Sequence, residues 1–156
     1  MFQDDYRLIM ASSAIPAACR PVELNGTFYY DGGISDAIPV QHALAENCDR
    51  LVVILSKNRD YVRKPQGMHF LYSRLCRKYP RIVEAIDRRH ITYNENLKLV
   101  FELEKKGVAF VFAPSEAIQV GTYSMDEKAE RALYDLGIKD FQSRQKELKQ
   151  FLHPLI

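Results

Sequence analysis

One carboxylate in this sequence sits where a side chain can do chemistry. Asp31 follows the extended segment Thr27-Phe28-Tyr29-Tyr30 and precedes two adjacent glycines, Gly32 and Gly33. A double glycine after a strand marks a sharp change of direction or a close approach of the backbone to another group. Asp31 then has two readings: it accepts N–H bonds in its own turn, as loop aspartates do, or it is presented into a cleft as a base. Local chemistry alone favours the first. Ser12 and Ser13 have no flanking glycines to form a strained, exposed turn, and no Gly-x-Ser-x-Gly nucleophile elbow occurs in the 156 residues. A phosphate loop, a dinucleotide turn and a His-Glu-x-x-His helix are also absent. His42, His69, His90 and His153 show no ligand spacing and read as surface or packing residues, so no metal or cofactor is expected.

The elements that would position Asp31 are legible around it. Val22-Glu23-Leu24, Asn25-Gly26 and Thr27-Phe28-Tyr29-Tyr30 predict a β-hairpin, because Asn-Gly tolerates the positive φ that a type I′ turn needs at both central positions. The sequon Asn25-Gly26-Thr27 is read as that turn rather than as a glycosylation site. Upstream, Leu8 to Pro16 is small and apolar, either a short buried helix or a strand with a helical turn. Downstream, Pro39 suits the first turn of a short helix from Val40 to about Glu46, with Asn47 as its stop. Leu51-Val52-Val53-Ile54-Leu55 lacks alternation, which predicts a strand covered on both faces, and Val108 to Ala113 predicts a second. Met68–Lys78 and Ile82–Lys106 read as helices interrupted at Pro80; Thr92-x-x-Glu95 fits the cap of a second helix, and the pattern equally fits one helix running through that point. Ser124-x-x-Glu127 predicts a helix that Gly137 closes, and a last helix runs from about Lys139 to Leu152.

Composition sets the class. Hydrophobic residues at 47% and charged residues at 27% fit a soluble globular domain. The net charge of +2 is too mild to call for a nucleic-acid partner. Cys19, Cys48 and Cys76 are odd in number and widely spaced, which favours a reducing compartment over a disulfide framework. The acidic start Met1-Phe2-Gln3-Asp4-Asp5 is unlike a signal peptide, and the longest aliphatic run is too short to span a bilayer. The expected location is cytoplasmic, with room for peripheral membrane association.

Ala11-Ser12-Ser13-Ala14-Ile15-Pro16, a hairpin, Asp31-Gly32-Gly33 and Ile38-Pro39-Val40, in that order, resemble the C-terminal half of patatin-like phospholipases. The likeness covers about Leu8 to Leu55. Beyond it, Tyr79-Pro80, Arg89-His90 and Tyr93-Asn94-Glu95 resemble the helical tail of a bacterial subgroup. The resemblance implies that Asp31 is the aspartate of a Ser–Asp dyad, while Gly32 and Gly33 hold the turn and leave room for a lipid or other ester substrate. In that family the nucleophile elbow and the oxyanion loop lie upstream of this stretch. The expected fold is therefore α/β, a mainly parallel sheet covered by helices and incomplete, with a helical C-terminal region. Residues 1–56 would form the motif region and 57–156 a mostly helical tail with one further strand, as one domain or the C-terminal portion of one. Such a chain would be inactive alone, and would associate with itself or with the missing N-terminal half of the same protein.

A second feature points to a different class of function. From Lys57 to His90 there are ten Lys/Arg and three Asp/Glu, with Tyr61, Phe70, Tyr72 and Tyr79 interleaved. This segment predicts either a solvated helix face with aromatics turned inward, or a patch that docks a non-catalytic module on anionic lipid or another anionic surface.

Overall fold

The computed structural model describes residues 6–118 and 126–153. The chain divides into two compact units, one gathering residues up to 39 with 63–97, the other 40–62 with 98–156.

In the first unit, α1 (Arg7–Ser12) is a short helix whose Ala11 is buried, while Leu8, Ile9 and Met10 are exposed. The hairpin forms as its turn chemistry dictates. β1 (Val22–Leu24) pairs antiparallel with β2 (Thr27–Tyr29), Leu24 opposite Thr27. Asn25 and Gly26 both take positive φ, 50° and 78°, the pair a type I′ turn requires. A single 3₁₀ turn, Gly32–Ile34, follows. α3 (His69–Leu75) turns Tyr72 inward, with Cys76 beyond its end also buried. α4 (Pro80–Lys105) begins on a proline whose fixed φ suits a first helical position. Ile34, Tyr72 and Ile86 form a buried cluster packed by Ile82, Val83 and Ala85.

Of two candidate helical boundaries, the one left open at Thr92 does not form and the one expected at Gly137 is absent. α4 runs through Thr92 without a break, because Ile86, Tyr93, Leu97, Val100 and Leu103 keep one buried stripe at three- and four-residue spacing. It stops at Gly107, whose φ of 71° lets Val108 N–H return to the Leu103 carbonyl at 3.0 Å. α5 (Glu127–Leu152) is likewise one helix of 26 residues with Gly137 in its interior. Its N-cap is Asp126, whose carboxylate accepts the Ala129 N–H at 3.1 Å. Ser124 lies outside the described residues. A glycine costs a helix interior only about 1 kcal/mol, too little to break one held along its length by packing.

The second unit holds α2 (Val40–Ala45), β3 (Leu51–Ile54), β4 (Ala109–Phe112), α5 and the end of α4. β3 and β4 pair in parallel, Leu51 opposite Ala109 and Ile54 opposite Phe112. On one face Leu51, Leu55, Ala109 and Val111 are buried. The other face departs from the expectation of a strand covered on both sides: Val52 is 43% exposed and Ile54 78%. α5 covers only the β4 half of that face. Phe151 packs on Phe110, Phe141 packs on Phe112, and Arg144 lies over Phe110 while donating to the Val111 carbonyl at 2.6 Å. Beside β3 this leaves an apolar groove of about 360 Å³, walled by Val52, Ile54, Phe112, Leu133, Phe141 and Leu148. Among the described residues the sheet has two strands, so each keeps one edge unpaired. The fold is mixed helix and small sheets, compatible with the α/β class. No described helix is long and apolar enough to cross a membrane.

The α3–α4 contact has a pH signature. The Tyr72 hydroxyl donates to Asp87 Oδ1 at 2.5 Å, and burial first, then that bond, push the phenol up to about 12. A phenol whose folded pKa exceeds its unfolded value stabilises the fold fully below pH ~10 and loses that contribution as pH rises through the folded value. Urea unfolding of the wild type is therefore expected to weaken between pH 10 and 12 by more than that of Tyr72→Phe, the two curves converging at high pH.

Candidate functional site

Asp31 stands at the junction of the hairpin and the 3₁₀ turn. Its N–H donates to the Ala14 carbonyl at 3.0 Å, which ties the strand end to the loop after α1. Its side chain caps the turn, with Oδ1 accepting the Gly33 N–H at 2.7 Å. The local, turn-holding role read from the sequence is thus observed for one oxygen. The other, Oδ2, has no hydrogen-bond partner among the described residues, and the side chain is only partly buried. A carboxylate held by one oxygen and open at the other is oriented and still able to accept a proton.

The two glycines differ. Neither has positive φ, so neither is required by backbone conformation. A Cβ on Gly33 would lie 3.1 Å from Asp31 Oδ1 and 3.6 Å from an Arg89 nitrogen. A Cβ on Gly32 would meet nothing within 4 Å. Gly33 therefore makes room for the carboxylate, whereas Gly32 faces open space.

The sequence did not single out the group that holds this turn from outside. Arg89 Nε donates to the Gly33 carbonyl at 2.7 Å, across 56 positions of sequence. Seven residues further along the same face of α4, Asn96 is 2% exposed and donates to Asp36 Oδ1 at 2.8 Å; the same oxygen accepts the Ile38 N–H at 3.3 Å. Other residues of the helical motifs grip this unit too. Tyr79 sets its ring edge-on to Tyr30 with centroids 5.7 Å apart. Asn94 exchanges two bonds with the Arg63 backbone, at 2.9 and 3.0 Å, and the Arg63 guanidinium lies over Tyr93. The signal for Arg89 and Asn96 was their seven-residue spacing on the stripe of Ile86 and Tyr93, polar residues where apolar ones would be expected.

The remaining candidates do not converge. Ser12 and Ser13 are exposed, and the Ser13 hydroxyl donates to its own helix at the Ile9 carbonyl. His69 is exposed and pairs with Asp87 at 3.4 Å; His42 and His153 are exposed. No group of three metal-binding side chains occurs among the described residues.

Two family models match separate segments of the chain. The patatin-like phospholipase family model matches residues 6–44, which contain Asp31, Gly32 and Gly33. A second model, a domain of unknown function (DUF6363), matches residues 79–153, which contain Arg89 and Asn96. Among curated proteins, the chain is similar to uncharacterized protein YjjU of Escherichia coli (strain K12), 48% identical over 60 residues. That alignment covers 38% of this chain and 17% of the relative's own length. No solved structure matches the chain significantly.

The contrast between the glycines is testable by urea unfolding. Gly33→Ala is expected to cost about 1–3 kcal/mol, because the added methyl would press on the Asp31 carboxylate oxygen that the turn holds in place. Gly32→Ala should change stability by less than about 0.5 kcal/mol. Equal effects would mean that the close approach at Gly33 does not constrain the turn.

Proposed function

We propose that this chain is the aspartate-bearing part of a patatin-like serine acyl hydrolase, acting on lipid or other ester substrates. The observation that carries the reading is the state of Asp31, fixed by Oδ1 on the Gly33 amide at 2.7 Å and open at Oδ2, inside the segment matched by the patatin-like model.

The reading requires a serine nucleophile and an oxyanion site from sequence other than these 156 residues. Serine is a poor nucleophile at its free pKa and needs a base within hydrogen-bonding reach. Asp31 Oδ2 takes the serine proton as Oγ bonds to the ester carbonyl carbon. The C–O bond to the alcohol then breaks, and the alcohol leaves with that proton. In deacylation a water loses a proton to Asp31, attacks the acyl-serine, and the serine oxygen recovers the proton as the acid departs. Arg89 acts here as a positioning residue through the Gly33 carbonyl, and Asn96 through the Asp36 carboxylate. The uncovered Val52 and Ile54 side of β3 is then a surface for the rest of the hydrolase, or for a second copy of the chain.

Two arms test the proposal. The 156-residue chain should not hydrolyse p-nitrophenyl esters, since it supplies one member of the dyad. In a protein that joins this chain to its serine-bearing complement, Asp31→Asn should lower kcat by roughly 10²–10⁴-fold with an unchanged circular dichroism spectrum. Near-normal turnover by Asp31→Asn would exclude Asp31 as the base.

A further inference from the structure

The basic segment that runs from Lys57 to His90 is not one uniform surface. Several of its cations are engaged within the fold: Arg59 makes two bonds to Glu104, at 2.7 and 2.6 Å, Arg63 lies over Tyr93, and Arg89 holds the Gly33 carbonyl. Arg74, Arg77, Lys78 and Arg81 differ. All four are exposed, and none has an acidic partner among the described residues. No Asp or Glu occurs between Asp60 and Glu84 to offset them.

Beside these cations the chain exposes a run of large apolar side chains. α3 turns Tyr72 inward, with Cys76 buried after it, and leaves Phe70 80% exposed, Leu75 56% and Leu71 46%, with Met68 just before the helix at 72%. The expectation that the aromatics of this segment turn inward therefore holds for Tyr72 and fails for Phe70. A solvated helix face would carry polar groups at these positions. Three large apolar side chains on a seven-residue helix, a fourth on Met68 just before it, and four cations without acidic partners form one exposed amphipathic surface.

We propose that α3 and the turn after it are a membrane-docking element for anionic phospholipid bilayers. Phe70, Leu71, Leu75 and Met68 enter the headgroup–acyl boundary, while Arg74, Arg77, Lys78 and Arg81 stay at the level of the phosphates. The chemistry selects this partner over nucleic acid. A polyanionic strand would use the cations and could stack on Phe70, but it offers nothing to the aliphatic Leu71, Leu75 and Met68. A bilayer interface uses both halves, since binding there scales with the buried apolar area plus the attraction of cations to anionic lipid. The helix is only about 10 Å long, so it lies on the surface and does not penetrate. The inference stands on α3 alone and is independent of the role of Asp31.

Cosedimentation of the 156-residue chain with vesicles tests it. Binding is expected to vesicles of phosphatidylcholine mixed with phosphatidylserine, to be weak on phosphatidylcholine alone, and to fall with added salt. Replacing Phe70 and Leu75 together by Ser should lower the partition coefficient roughly tenfold or more, and both positions are exposed, so folding should be unaffected. Replacing Arg74, Arg77 and Lys78 together by Gln should lower it roughly a hundredfold. Retained circular dichroism confirms the fold of each variant, and both losses together support the proposal. It is overturned by absent binding, by equal binding to neutral and anionic vesicles, or by binding that survives both sets of substitutions. It is also overturned if light scattering shows that Phe70 and Leu75 mediate self-association without vesicle binding, or if the wild type binds RNA and not vesicles.

Discussion

A loop with little apolar surface is held mainly through its polar atoms, and the Asp31–Asp36 turn is held that way. Fixing one residue's backbone costs about 1–2 kcal/mol, while a hydrogen bond to a charged group contributes about 1.5–3. No single contact can then order six residues. The turn is spanned by several in series: the Asp31 N–H on Ala14, Asp31 Oδ1 on the Gly33 amide, Arg89 on the Gly33 carbonyl and Asn96 on Asp36. Ile34 adds the apolar anchor against Tyr72 and Ile86. Arg89 reaches the turn from outside: it holds the Gly33 carbonyl, one peptide beyond the N–H that orients the carboxylate. The carbonyl of that orienting peptide, on Gly32, accepts from the Ser35 and Asp36 amides.

This arrangement gives the helical region of the chain a structural task. The segment matched by the patatin-like model supplies the turn, and the first helix of the segment matched by the domain of unknown function supplies Arg89 and Asn96. Within the first unit, the two therefore share one polar network. A substitution on α4 that leaves Asp31 untouched would still loosen the turn that carries it, by freeing the Gly33 carbonyl. The same helix carries Asp87, which accepts the Tyr72 hydroxyl and so ties down α3, the helix that exposes Phe70 and Leu71.

The sequence was most legible where local chemistry decides the outcome. Asn25-Gly26 dictated the hairpin, Gly107 the end of α4, and the two aliphatic runs the parallel strands. It was least legible where a weak local signal opposed a long packed stripe. Thr92 and Gly137 look like boundaries, yet the helices pass through both, since each signal is worth about 1 kcal/mol against packing along the whole helix. The aliphatic run at β3 predicted burial on both faces, but hydrophobicity does not say which neighbour is present, and Val52 and Ile54 are open. Asp31 could be singled out from its glycines. Arg89 was marked only as a polar residue on the stripe of α4, and its partner could not be read, because nothing local joins residues 56 positions apart.

The central claim is that Arg89 holds the turn that orients Asp31, and amide hydrogen exchange at Gly33 measures it most directly. In the wild type the Gly33 N–H, bonded to Asp31, should be protected. In Arg89→Met that protection should fall toward that of an open loop, while the β4 amide at Val111 exchanges as before. Unchanged protection at Gly33 would contradict the account, and an equal loss at Gly33 and Val111 would show a general loss of stability instead of a released turn.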